Sequence, residues 1–186
     1  MSVFIGSSEI SSVFVGSDEV QEIWVGGTQV WTNLPDITPG SYALEEIGNS
    51  ALFGFLIDPA QTSTSLTLRH GFYNSGGFFL ITQRATLNFT LKAGSYRLHY
   101  TIASESGHPD GNRSTLNTSI TGTGTTNTST TLVDGSTLSV GAKTWDFTQN
   151  SEGTVTLRWT TGMNTSGASG TDDRFVTINN IYLEKL

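Results

Sequence analysis

Cysteine is absent from this 186-residue chain. No disulfide framework, thiolate zinc site or cysteine nucleophile is open to it, so its stability has to come from packing or association. Lysine and arginine are missing from everything before Arg69, a stretch that carries eight acids: Glu9, Asp18, Glu19, Glu22, Asp36, Glu45, Glu46 and Asp58. The net charge of −7 therefore belongs to the N-terminal third and leaves the remainder at +1. Nucleic acid and anionic membrane surfaces are both recognised by clustered basic residues, so neither partner is expected. Docking on a basic protein surface is compatible with this balance, although Glu9, Asp18 and Glu19 individually read as solvated turn residues. Long apolar runs are missing as well. The early hydrophobic stretches are broken every few residues by Gly, Ser or Glu, which predicts neither a signal peptide nor a membrane span.

Catalytic signatures are equally scarce. His70, His99 and His108 stand in separate segments without the short spacing of metal-ligand pairs, and His99 reads as a solvent-facing strand residue. There is no Gly-x-Ser-x-Gly elbow and no Gly-rich phosphate loop between a strand and a helix. Asp172-Asp173, with Asp110, Asp146 or Glu105, are the acids with potential for glycoside hydrolysis. Adjacent acids in a Gly/Ser-rich loop are more often solvated, with calcium ligation the next use. The reading is a non-enzyme with no cofactor and no metal.

What the sequence does contain is a repeat. Val3-Phe4-Ile5-Gly6 through Ile10, Val13-Phe14-Val15-Gly16 through Val20, and Ile23-Trp24-Val25-Gly26 through Val30 are three copies of one ten-residue unit. A unit this short cannot bury its own side chains and must stack on copies of itself or on other chains. Each is expected to form a short strand followed by a tight turn, at Ser7-Ser8-Glu9, Ser17-Asp18-Glu19 and Gly27-Thr28-Gln29. Period-two alternation puts Val3, Ile5, Val13, Val15, Ile23 and Val25 on one face and Phe4, Phe14 and Trp24 on the other. Apolar residues on both faces imply burial between layers or subunits. Together with Val30 and Trp31 they form the expected assembly interface, a homotrimer being the leading stoichiometry. The alternative is a three-stranded meander belonging to a larger sandwich.

The tandem Val/Ile-Phe/Trp-Val-Gly pattern, ending in Gly26-Gly27-Thr28-Gln29-Val30-Trp31, resembles repeats of tailed-bacteriophage virion proteins of the minor-tail, tail-fibre and head-fibre type. Ser7-Ser8 departs from the acidic or amide-rich turn usual there. The resemblance covers about the first thirty residues and implies a place on the virion surface and an attachment segment that multimerises or binds other capsid or tail proteins.

Thr32 to Gly40 contains Pro35 and Pro39, which end strands and resist helix, so residues 35–40 are expected to link the repeat segment, 1–34, to a second domain, 41–186. That domain reads as nearly all β. Leu87, Phe89 and Leu91, then Tyr96, Leu98, Tyr100 and Ile102, alternate with polar residues around Ala93-Gly94 and predict a hairpin with one buried face. Val155, Leu157 and Trp159 alternate likewise, as do Leu66 and Leu68. Val176 and Ile178 share one parity and Ile181 and Leu183 the other, which predicts a β-bulge at Asn179-Asn180. Tyr42 to Ile47 is the one stretch compatible with a short helix.

Strands at intervals near ten residues predict a two-sheet sandwich. The run from Thr144 through Trp159, closing on Phe175 to Leu183, is similar to the C-terminal half of carbohydrate-binding-module jelly rolls. The expected fold is thus all-β, a short β-repeat segment followed by a jelly-roll-like β-sandwich. Two low-complexity stretches, Thr121 to Thr131 and Gly162 to Asp173, are expected as polar surface loops or edge strands, and as loops they are where ligand contacts would be built. Among aromatics, Trp159 and Tyr100 fall on core parity, whereas Tyr73 and Trp145 lie near turn signals; with Asn164, Asp172 and Asp173 they form the expected ligand set. The leading expectation is a non-enzymatic virion fibre, knob or decoration subunit. A host-glycan-binding recognition module and a capsule depolymerase are the alternatives.

Overall fold

A computed structural model describes the strand residues among the first 32 positions and then residues 34–47, 59–74, 78–105, 113–126, 128–133, 138–164 and 171–186. Every regular element among them is a β-strand. The three repeat units give β1 (Phe4–Ile5) with β2 (Ser8–Glu9), β3 (Val13–Val15) with β4 (Asp18–Val20), and β5 (Glu22–Val25) with β6 (Thr28–Thr32). Each unit therefore pairs with itself as an antiparallel hairpin. This corrects the expectation of one strand per unit, because Glu9, Glu19 and Gln29 pair as strand residues instead of turning. The register repeats across the three: Phe4 faces Glu9, Phe14 faces Glu19 and Trp24 faces Gln29. The residues between the paired strands are Gly6-Ser7, Gly16-Ser17 and Gly26-Gly27, a composition favoured in two-residue hairpin connections.

The remaining strands are β7 (Ala43–Ile47), β8 (Ala60–Gln61), β9 (Ser65–Asn74), β10 (Phe78–Leu91), β11 (Gly94–Glu105), β12 (Arg113–Gly122), β13 (Thr128–Val133), β14 (Gly141–Gln149), β15 (Gly153–Asn164) and β16 (Thr171–Lys185). They form one ten-stranded antiparallel sheet, ordered β13-β12-β15-β10-β9-β16-β11-β14, with β7 on β10 and β8 on β9. Residues 84–86 of β10 pair with β15 on one side and β7 on the other, and residues 66–67 of β9 pair with both β16 and β8. The sheet thus folds into two layers, β13-β12-β15-β10-β7 and β8-β9-β16-β11-β14, joined through the paired strands β9 and β10. After that hairpin the chain alternates between layers, apart from the β12–β13 hairpin, as in a jelly roll.

Between the layers sits one apolar core. Tyr96, Leu98, Tyr100 and Ile102 of β11 and Val155, Leu157 and Trp159 of β15 are all buried, as their alternation predicts. Tyr100 meets Trp159 edge to face at 4.9 Å and 73°, a contact across the layers worth about 0.5–1.5 kcal/mol beyond area burial. Two expectations fail here. The predicted hairpin of residues 87–91 with 96–102 does not form, since β10 pairs with β15, β7 and β9 while β11 pairs with β14 and β16. Both apolar faces were read correctly, but they meet the same core from opposite layers. Residues 43–47, the helix-compatible stretch, are strand β7 because Ala43 to Ile47 complete the β10 edge.

Polar side chains close the places where the ladder divides. Near Thr82, β10 passes from β9 to β7. There Gln83 Oε1 accepts the Arg69 amide at 2.6 Å and the Thr161 hydroxyl donates to Arg69 O at 2.7 Å. At the opposite margin the turn after β12 joins the end of β14 through Thr126 N to Thr148 O at 3.0 Å and Asn150 N to Gly124 O at 2.7 Å. The sandwich is thereby a nearly closed barrel. Residues 35–40, read as a linker, contribute Ile37 to the core, where Tyr42 donates its hydroxyl to Ile37 O at 2.9 Å.

Candidate functional site

Strand β16 carries a bulge where the sequence phase changes. The register with β11 shifts between His99–Tyr182 and Thr101–Asn179, and Asn180 takes φ 50°. Asparagine tolerates this left-handed conformation better than most residues with a Cβ. The extra residue lets Val176 and Ile178 before it and Ile181 and Leu183 after it all face the core. Tyr182 is consequently turned outward.

Tyr182, 51% exposed as a residue, is a large hydrophobic group at the surface. It lies flat on the His99 imidazole, with ring centroids 4.5 Å apart and planes within 3°. His99 Nε2 is 2.7 Å from Glu184 Oε2. A carboxylate only accepts, so Nε2 carries the proton, and the bond fixes the imidazole that supports the tyrosine. Beside this pair opens a cleft of about 490 Å³, within the range of about 300–1,000 Å³ usual for small-molecule sites. Its walls come from Thr38-Pro39, the Ser63-Thr64 turn, Thr101 and the bulge at Asn180. The Asn180 amide donates to the Thr101 hydroxyl at 3.4 Å. The arrangement offers one exposed aromatic face surrounded by hydroxyl and amide groups.

On the same outward face Arg97 grips Asp146 with two bonds, Nε to Oδ1 at 2.6 Å and Nη2 to Oδ2 at 2.8 Å. Those hydrogen bonds, reinforced by the guanidinium charge, hold the Asp146 carboxyl below the ordinary carboxylate range and raise Arg97 further. Lys143, on the cleft wall, donates to the Ser139 hydroxyl at 3.1 Å. Among the described residues no group of three His, Cys, Asp or Glu is placed to hold a metal ion, and no helix is long and apolar enough to cross a membrane.

The residues expected to bind ligand lie elsewhere. Trp145 is in mid-strand β14 opposite Leu98 and packs half-buried against the core. Tyr73 pairs with Thr171, Asp172 with Phe72 and Asp173 with Gly71, which gathers them at the far end of β9 and β16. Asn164 ends β15 opposite Arg113. The side chains of Tyr73, Asn164, Asp172 and Asp173 lie outside the described residues. The two low-complexity stretches divide between turn and strand: β12 and β13 form a hairpin across Thr121–Thr131, with β13 an edge strand as one of the two readings had it, and both Asp172 and Asp173 sit on β16. Of the assembly residues, Phe4, Ile5, Val13, Phe14, Val15, Ile23, Trp24, Val25, Val30 and Trp31 are on hairpin strands, Ile23 half-buried; Val3 lies outside the described residues. Sequence reasoning missed Tyr182, although the phase change at Asn179-Asn180 carried the signal: a residue between inward Ile181 and Leu183 must point out.

No protein-family model matches the sequence, and no curated protein matches it. Among solved structures the chain is similar to TmCBM61, a carbohydrate-binding module solved in complex with β-1,4-galactotriose. The identity is 13% and the TM-score 0.47, over 79% of this chain and 92% of that one.

Proposed function

We propose that this chain is a non-enzymatic subunit of a tailed-bacteriophage particle, a small fibre, knob or decoration protein. Hairpins within residues 3–31 attach or multimerise it, and the sandwich is displayed outward. The observation that carries this reading is the threefold repetition of one hairpin register, Phe4 with Glu9, Phe14 with Glu19 and Trp24 with Gln29. Hairpins of two to five residues per strand are marginal alone and need neighbours to bury their apolar residues. A particle reconstruction tests it. The sandwich should appear as protruding density on capsid or tail, joined to the shell through the repeats, and absence of the subunit from purified particles overturns the reading.

A second reading, host-glycan recognition by the displayed domain, is favoured by the Tyr182 ring. An exposed aromatic face held flat by His99 can stack on the apolar face of a pyranose, and Asn180, Thr101 and Thr64 surround it with groups for sugar hydroxyls. Purified protein should compete with particles for adsorption to host cells, and Tyr182→Ala should abolish that competition while leaving folding intact. Undiminished competition by the variant removes Tyr182 from recognition.

A further inference from the structure

Resting on the glycan-recognition reading, we infer that the cleft beside Tyr182 prefers saccharide chains that carry an anionic substituent, with the Lys143 ammonium as its counter-charge. Lys143 lines the cleft together with Tyr182, His99, Thr101 and Asn180. Among the described residues its one hydrogen bond is to a neutral group, the Ser139 hydroxyl at 3.1 Å. An ammonium has three N–H donors, so two of them and the charge itself are left for a ligand. Among the described residues neither aspartate nor glutamate lines the cleft. The acids nearby on the sheet are engaged outside it: Asp146 by two bonds from Arg97, at 2.6 and 2.8 Å, and Glu184 by His99 at 2.7 Å.

The placement suits a ligand that engages both the ring and the charge. Lys143 is opposite Tyr100 on one side of β11, and Tyr182 is opposite His99 on the other. Two strand spacings, about 10 Å, therefore separate their backbones. β14 ends the sheet order, so the flexible Lys143 side chain near its start has no further strand to confine it. A sugar stacked on the Tyr182 ring would direct an acidic group, on itself or on the adjoining unit, towards Lys143, while the hydroxyls of Thr101, Ser63 and Thr64 meet its neutral groups. The charge-assisted bond is the stronger of these polar contacts. An ammonium is a compact point charge without a planar fork, so it accepts carboxylate and sulfate alike.

The full chain probed with uronate-bearing and sulfated oligosaccharides, and with the carboxyl-reduced and desulfated forms of the same chains, tests the inference. The expected result is that acidic forms bind about fivefold to tenfold more tightly, or by about 1–1.4 kcal/mol. The class that shows this margin identifies the anion. The margin should shrink between about 0.05 and 0.5 M salt and disappear in Lys143→Gln, which should bind the neutral forms as the parent does. Tyr182→Ala should lose both. Equal or tighter binding of the neutral forms by the parent, or a margin that survives Lys143→Gln, would overturn the acidic-ligand inference and leave glycan recognition standing. No binding of any form, or binding that survives Tyr182→Ala, would remove the cleft as a glycan site and the inference with it.

Discussion

Thr125 donates its hydroxyl to Gln149 Oε1 at 2.6 Å, while the Gln149 amide donates to Thr123 O at 2.9 Å and to Ser151 O at 2.6 Å. Gln149, 1% exposed, thus saturates its amide on the turn that closes the barrel margin. Gln61 is used alike at the entry to the sandwich, its Oε1 accepting the amides of Gly40 and Tyr42 and its amide donating to Tyr42 O. A primary amide suits such positions because it offers donors and an acceptor without charge.

Gln149→Ala should therefore destabilise the protein by about 1–3 kcal/mol, since the carbonyls of Thr123 and Ser151 lose the amide donor that ties the turn to β14. Gly124→Ala should act at the same turn. Gly124 has φ +77°, and an added Cβ would collide with the Ser151 hydroxyl. Urea midpoints of the two variants and of the double variant check this, with less than the summed loss expected when both are combined. A Gln149→Ala midpoint equal to that of the parent would show that the margin does not depend on the amide.

Stability should fall at both pH extremes for identifiable reasons. Burial raises the Tyr42 phenol far above its ordinary value, opposed by the nearby Trp159 indole and aided by Asp36, and burial raises Tyr100 as well. The unfolded chain releases these protons first, so their contribution is complete below the ordinary phenol value of 10.0 and is lost as pH rises above it. Asp36 is shifted the other way, downward, by the Thr38 hydroxyl and amide that donate to it. Its contribution is present above the ordinary value of 3.8 and is lost as pH falls below it. Urea unfolding across pH should show Tyr42→Phe with a shallower alkaline limb and Asp36→Asn with a shallower acid limb. Parallel limbs in parent and variants would assign the pH dependence to other groups.

Alternation made the core legible. Leu66, Leu68, Leu98, Leu157 and Trp159 are inside as their parity required, and even the bulge at Asn180 was visible as a change of phase. Pairing was not legible in the same way. The face a strand buries depends on its own residues, whereas its partner depends on which layer the chain enters next. Thus residues 87–91 and 96–102 read as a hairpin although a crossing separates them. The cleft was hidden for a related reason, because Thr38, Thr64, Thr101 and Asn180 are brought together only by folding and none carries a motif. Turn-rich composition drew attention instead to the ends of β15 and β16.

The repeats should be separable from the sandwich in function. Trp24→Ala should lower incorporation into particles by an amount equivalent to about 2–4 kcal/mol if this ring is an anchor of the attachment surface. Quantifying the subunit in purified particles against the parent gives the readout. Sedimentation of the full chain and of a chain beginning at Pro35 then distinguishes self-association from attachment to another protein. Wild-type incorporation of Trp24→Ala would remove this residue from anchoring.

The bulge offers the sharpest link between sequence phase and surface. Asn180 occupies φ 50° so that one extra residue is absorbed between His99–Tyr182 and Thr101–Asn179. Asn180→Gly should be tolerated, because glycine adopts this region without a Cβ penalty, whereas the β-branched Asn180→Val should cost about 1–3 kcal/mol. Deleting residue 180 should remove the bulge without exchanging faces: Asn179, Ile181 and Tyr182 would then follow regular alternation, keeping Ile181 and Leu183 on the core face and Tyr182 opposite His99. Denaturation midpoints should rank the parent and Asn180→Gly together and Asn180→Val lower. Tyr182 fluorescence cannot report alone against the other aromatics, so the stacking is read from the His99 ring protons by NMR. Their aromatic ring-current shift should persist both in Asn180→Gly and in the deletion, since each keeps Tyr182 opposite His99. A deletion variant that folds but loses the His99 shift would show that the parity of residues 178–183 does not by itself set the orientation of Tyr182.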